Sequence, residues 1–175
     1  MVQFFDWYES IRDFLELGGP VMLAIGPLTL VRWILIFERI AYFRTGHRRL
    51  VHDVMKTWSD RSERQSWNAR KIRGALVSRV SLSSETNLLL IKTLVAICPL
   101  LGLMGTVTGM IEVFDVMAFS GAGNPRSMAA GVSKATIPTM AGMVAALSGV
   151  LAITLLSRFA DREIEHLRAE LTTEV

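Results

Sequence analysis

The sequence predicts an all-α fold: a polytopic membrane protein with three transmembrane helices, helices two and three extended into the cytoplasm. Three observations predict it. Of 175 residues, 51% are hydrophobic and the mean hydropathy is +0.38, high for a soluble domain of this length. Three apolar stretches reach the roughly 20 residues that cross a bilayer. The cations concentrate between the first two of these stretches, as a cytoplasmic loop requires.

Residues 1–17, MVQFFDWYESIRDFLEL, place Phe4, Tyr8, Ile11 and Leu15 at helical spacing beside Asp6, Glu9, Asp13 and Glu16. This pattern predicts an external amphipathic helix lying in the membrane interface. An acidic leader without a basic n-region is not a signal peptide. Residues 18–43 form the first span. Its Glu38 and Arg39 belong at the cytoplasmic boundary, with the helix continuing beyond. Arg32 lies deeper, and snorkelling to the inner headgroups is the expected remedy, a polar contact with another helix the alternative.

Residues 44–87 read as a cytoplasmic helical segment. Arg44, Arg48, Arg49, Lys56, Arg70, Lys71 and Arg73 face few acids there. Beside a membrane span such a stretch sets topology rather than binding nucleic acid. Gly74 and the SLSSET run are the expected breaks, with Ser84 as N-cap of the next helix. Residues 88–119 are the second span, 120–131 a short periplasmic link carrying Arg126, and 132–157 the third span. In the cytoplasmic tail, residues 158–175, Phe159 or Ala160, Ile164, Leu167 and Leu171 form one apolar stripe between charges, so the third helix continues into it. The N-terminus and the short link then lie outside and the C-terminus in the cytoplasm.

Catalytic chemistry finds no foothold. His47, His52 and His166 lie in charged segments, and the five-residue spacing of the first two suits no shared ligand face. No HExxH or GxSxG motif occurs, and GLMGTVTG lacks the Gly-Lys-Ser/Thr of a phosphate loop. No enzyme activity, cofactor or metal is expected. Cys98 stands alone, so no internal disulfide forms.

The second span instead carries Gly102, Thr106, Gly109 and Val113 on one helical face. The third repeats the pattern with Ala135, Thr139, Gly142, Ala146 and Gly149. Small-residue faces let another helix approach closely, and packing between spans of one chain would account for them as well. Pro99 and Pro138 each remove a backbone donor inside a span.

These residues carry a resemblance. PLLGLMGTVTGMIEVF followed by GVSKATIPTMAGMVAALSG, with the boundary pair Glu38-Arg39, resembles the MotA/TolQ/ExbB proton channel family, most closely its ExbB branch. The resemblance implies an oligomer in the bacterial inner membrane, a pentamer, around an ExbD-like single-span partner whose aspartate carries protons. Proton flow would drive rotation and, through a TonB-like protein, outer-membrane import. Thr106 and Thr139 match the family's pore-facing threonines. Gly102, Gly109, Ala135, Gly142, Ala146 and Gly149 would form the close-packing pore face. TolQ-like envelope maintenance and a non-conducting membrane scaffold are the rival readings. The family's third-span glutamate is replaced by Lys134, so the protonatable carboxylate has to come from the partner or from Glu112.

Glu112 is six residues outward of Thr106, about 9 Å, and Lys134 five outward of Thr139, about 7.5 Å. With the threonines at one depth, the two charges share a layer. An ion pair between them, within a chain or between subunits, is expected.

Overall fold

The computed structural model describes residues 18–61, 63–64, 66–120 and 125–173, together with Glu9, Arg12 and Leu15. Four helices follow one another: α1 Gly19–Ser59, α2 Trp67–Glu85, α3 Leu88–Ser120 and α4 Pro125–Thr173. Among the described residues no strand occurs, and three helical stretches are long and apolar enough to cross a membrane. Apart from Glu9, Arg12 and Leu15, the leader expected to form an interfacial helix lies outside the described residues.

The helix limits follow local chemistry. Gly19 opens α1 with φ +68°, a left-handed conformation that glycine adopts at little steric cost. At the start of α2 the Ser66 hydroxyl accepts from the Ala69 N–H at 3.1 Å, satisfying one of the donors every helix leaves unpaired at its N-terminus. α2 ends where both the backbone N–H and the hydroxyl of Thr86 donate to the Leu82 carbonyl. Asn87 then takes φ 63°, a region asparagine tolerates better than most residues. α3 begins at Leu88, where the second span is expected to start.

One expected break, at Gly74, is absent; the SLSSET run does end a helix, at Glu85, but without Ser84 as the cap. Gly74 lies inside α2. Its isolated helix penalty of about 1 kcal/mol is outweighed by the packing of its neighbours. Ser84 is not an N-cap but a fully buried residue within α2. The run stays helical as far as Glu85: Ser81 bonds Glu85 within α2, while Ser83 and Ser84 reach Tyr42 and His47 on α1.

The chain forms two compact units. Residues 1–33 and 93–150 make the first. There Val21, Met22 and Ile25 of α1 pack with Leu15, Leu101, Ile137 and Ala141. Residues 34–92 and 151–175 make the second. Its core joins Val54 and Trp58 of α1, Val77 and Val80 of α2, and Ile164, Leu167 and Leu171 of α4. Ala160 is buried as well, so the stripe read from the tail is the face α4 turns inward. Each such Leu or Ile contributes about 1.5–3 kcal/mol when fully buried.

Candidate functional site

In the first unit, α3 and α4 run antiparallel along a seam of small residues. An added Cβ on Gly102 would lie 3.0 Å from the Pro138 carbonyl oxygen and from the Thr139 Cα. On Gly105 it would lie 2.3 Å from Pro138 Cβ, and on Gly109 2.6 Å from Ala135 Cβ. On Gly142 it would lie 2.6 Å from the Cys98 carbonyl oxygen. Real Cβ atoms do not sit as close as those at Gly105, Gly109 and Gly142, so a side chain there would force the helices apart, while Gly102 is a tight contact. Farther along the seam Gly131 receives Val113 in the same way, its added Cβ meeting Val113 Cγ2 at 2.4 Å.

The seam changes the reading of the stripes. Gly102, Gly109, Ala135 and Gly142 are turned toward the neighbouring helix of their own chain. The close approach they permit is α3 on α4, not the entry of a helix from outside at these atoms. The reason is steric: each face is already occupied by the other. Ala146 is buried, and Gly149 packs on Val95 Cγ2 and the Arg32 guanidinium.

The two threonines sit differently. Thr139 is half-buried, and its hydroxyl donates across the seam to the Gly102 carbonyl at 2.9 Å. Thr106, also half-buried, donates to the Leu103 carbonyl of its own helix at 2.7 Å. Thr139 therefore lies level with Gly102, one turn before Thr106, so the threonines are staggered rather than at one depth.

Glu112 and Lys134 do come to one place. Both line a cleft of about 190 Å³ with Gly109, Val113, Met128 and Gly131. Both are exposed, and among the described residues no ion pair joins them. The expected contact pair is thus not formed within the chain. Two exposed charges gain little by closing on each other, about 0–1 kcal/mol, against the freedom of two long side chains.

Arg32 overturns the snorkelling expectation. It is 0% exposed. Its guanidinium donates to the Ala145 carbonyl at 2.6 Å and to the Ser148 hydroxyl at 3.1 Å, and approaches Cys98 Sγ at 3.9 Å. α3 and α4 supply partners closer than any headgroup. In the second unit, Arg39 donates to the Ser83 carbonyl at 3.2 Å and stacks over Tyr42 at 4.8 Å. Tyr42 also hydrogen-bonds the Ser83 hydroxyl, while Asn87 donates to Glu38 at 3.3 Å.

Sequence reading missed His47. It reads as solvated, yet it is 2% exposed, with Nε2 3.5 Å from the Glu163 carboxylate and Nδ1 3.5 Å from the Ser84 hydroxyl. The only hint lay in its aromatic neighbours, Tyr42 and Phe43, which pack edge-on against the ring.

Three apolar helices, a glycine-tight antiparallel pair and a buried intramembrane arginine define a polytopic helical membrane protein. Residues 41–169 match the MotA/TolQ/ExbB proton channel family. The chain belongs to that family. It is 35% identical over 83 residues to a putative biopolymer transport protein, ExbB-like 1, of Synechocystis, covering 46% of this chain and 33% of that one. It is 40% identical over 88 residues to the biopolymer transport protein exbB1 of Vibrio cholerae, covering 50% of this chain and 39% of that one. A second Synechocystis relative, putative biopolymer transport protein ExbB-like 3, is 28% identical over 166 residues, covering 77% and 79%. The chain thus matches only about a third to two fifths of the first two relatives' lengths. Family and apolar helices together make this an inner-membrane protein, of the ExbB kind.

Proposed function

We propose that the chain is the channel subunit of a proton-driven motor. As a homo-oligomer, a pentamer by analogy, it surrounds an ExbD-like single-span partner and uses the proton motive force to energise import through a TonB-like protein. The N-terminus lies on the periplasmic side and the C-terminus on the cytoplasmic side. It is a transport subunit, not an enzyme.

The observation that carries this reading is the match to the proton channel family across both threonine-bearing helices. The hydroxyl geometry supports it. Each threonine spends its proton on a carbonyl, and a hydroxyl oxygen that donates keeps lone pairs with which to accept. Two staggered acceptors would solvate a proton-bearing water passing from one turn to the next. The proton-carrying carboxylate belongs to the partner or is Glu112.

One observation favours a second reading, a non-conducting scaffold: the seam glycines are consumed by packing inside the chain. Proton flux through liposomes holding the chain with its partner separates the two, because a scaffold carries none.

A further inference from the structure

In the second unit α1 and α4 border a cleft of about 350 Å³, inside the range of roughly 300–1,000 Å³ in which small-molecule sites fall. On α1, Ile40, Arg44 and Arg48 line it at four-residue steps; on α4, Leu155, Phe159 and Glu163 do the same. Such steps keep each set on one helix face. Both faces change from apolar to charged in the same direction along the chain. The expected spans end at residues 43 and 157, so on both helices the change falls at the membrane boundary. The apolar end is open: Leu155 is 66% and Phe159 46% exposed. Phe159 meets the buried Phe43 edge to face at 5.3 Å, which joins α4 to α1 there.

The charged end is unbalanced. Arg44 and Arg48 are exposed, and among the described residues neither side chain has a hydrogen-bond or ion-pair partner. The Glu163 carboxylate, which also lines the cleft, is turned to His47 instead, 3.5 Å from Nε2. Two guanidinium groups against one carboxylate leave one positive charge when the imidazole is neutral. A second hollow of about 270 Å³ shares His47, Arg48 and Glu163 with the first and continues to His52, so polar room lies beyond the boundary. Membrane topology asks only that cations lie on one side. It does not call for them at the mouth of an apolar cleft.

We propose that this cleft binds one anionic phospholipid of the adjoining leaflet, its phosphodiester between Arg44 and Arg48 and an acyl chain along Leu155 and Phe159. Guanidinium groups donate to phosphate oxygens in pairs, and basic pockets between membrane helices suit such headgroups. A singly charged phosphodiester, as in phosphatidylglycerol, cancels the charge of the site. Phosphatidylethanolamine brings its own ammonium group and leaves that charge standing. The lipid ties the ends of the first and third spans together where they leave the membrane, a role separate from proton conduction.

The test uses the full chain, purified in detergent, stripped of lipid and titrated with dioleoyl phosphatidylglycerol or dioleoyl phosphatidylethanolamine, with bound lipid counted by native mass spectrometry. Saturable binding of one phosphatidylglycerol per chain, in preference to phosphatidylethanolamine, is expected. Two basic residues at an anionic lipid are worth roughly thirtyfold in affinity, and Arg44→Gln with Arg48→Gln should weaken binding by about that factor. Arg49→Gln with Arg70→Gln removes the same charge from exposed positions of the same segment outside the cleft and should bind as wild type does. Glycerophosphoglycerol, the headgroup without its chains, should not displace the lipid. Equal affinity for the two lipids, equal losses in the two glutamine pairs, or displacement by the headgroup at concentrations equal to the lipid would each overturn the proposal. Lipid preference and headgroup competition are read on the wild-type chain, and they decide the matter even where the first glutamine pair fails to fold.

Discussion

The Thr139 hydroxyl donates to the Gly102 carbonyl at 2.9 Å, joining α4 to α3 at the point where a glycine allows the two backbones to meet. A hydroxyl that faces another helix's carbonyl serves packing and still offers its oxygen as an acceptor. Thr106 makes the contrasting choice, bonding back to Leu103 on its own helix. That difference predicts unequal effects of the two hydroxyls on stability.

Thr139→Val removes the cross-helix bond, and about 0.5–1.5 kcal/mol of stability should go with it. Thr106→Val removes a bond the helix does not need, so stability should change by less than about 0.5 kcal/mol. Thermal unfolding in detergent checks both. If Thr106→Val still lowers proton flux at unchanged stability, the hydroxyl acts on the path and not on the fold.

The seam predicts a sharp contrast among glycines. Gly142→Ala and Gly109→Ala put a methyl where backbone or Cβ atoms already stand, and overpacking of this kind costs about 1–3 kcal/mol. Gly74→Ala in α2 meets nothing within 4 Å, and should stabilise by about 0.4–1 kcal/mol through lost freedom of the unfolded chain. Unfolding midpoints of the three variants in one detergent decide the point. Equal effects at all three would refute the seam.

Because Glu112 and Lys134 share a cleft without contact, neither should depend on the other within one chain. Glu112→Gln and Lys134→Met are each expected within about 0.5 kcal/mol of wild type in stability. The exchange Glu112→Lys with Lys134→Glu should behave as the sum of the two single charge reversals. Destabilised single reversals rescued by the exchange, as judged by oligomer survival on gel filtration, would instead reveal a pair formed between subunits.

In the second unit His47 is enclosed by Ser84, Glu163 and two aromatic rings. His47→Ala leaves a cavity and an unpartnered buried serine. A loss of about 2–4 kcal/mol is expected, from the cavity and polar terms together. His52→Ala, on an exposed residue, should cost almost nothing. Comparable losses for both would show that His47 is not held as described.

Periodicity made much of this fold legible. The spans and the tail stripe of Ala160, Ile164, Leu167 and Leu171 depend on apolar spacing, which one helix carries in its own sequence. The start of α3 at Leu88 was legible too, although the expected cap, Ser84, was the wrong device. Arg32, His47 and Ser84 were misread for a common reason. Each is polar in a local context that suggests water or headgroups, and each is buried by partners more than 30 residues away. Local pattern holds no record of such partners. The stripes were legible as close-packing surfaces, but a small residue does not announce which helix it receives. Gly102, Gly109 and Gly142 receive a helix of their own chain.

The most direct measurement is proton flux in liposomes containing this chain together with the proposed single-span, aspartate-bearing partner, driven by an imposed pH gradient. Flux well above that of either protein alone is expected, reduced at least tenfold by Thr139→Val in complexes that still assemble. An assembled wild-type complex no leakier than empty liposomes would contradict the channel function and leave a scaffold.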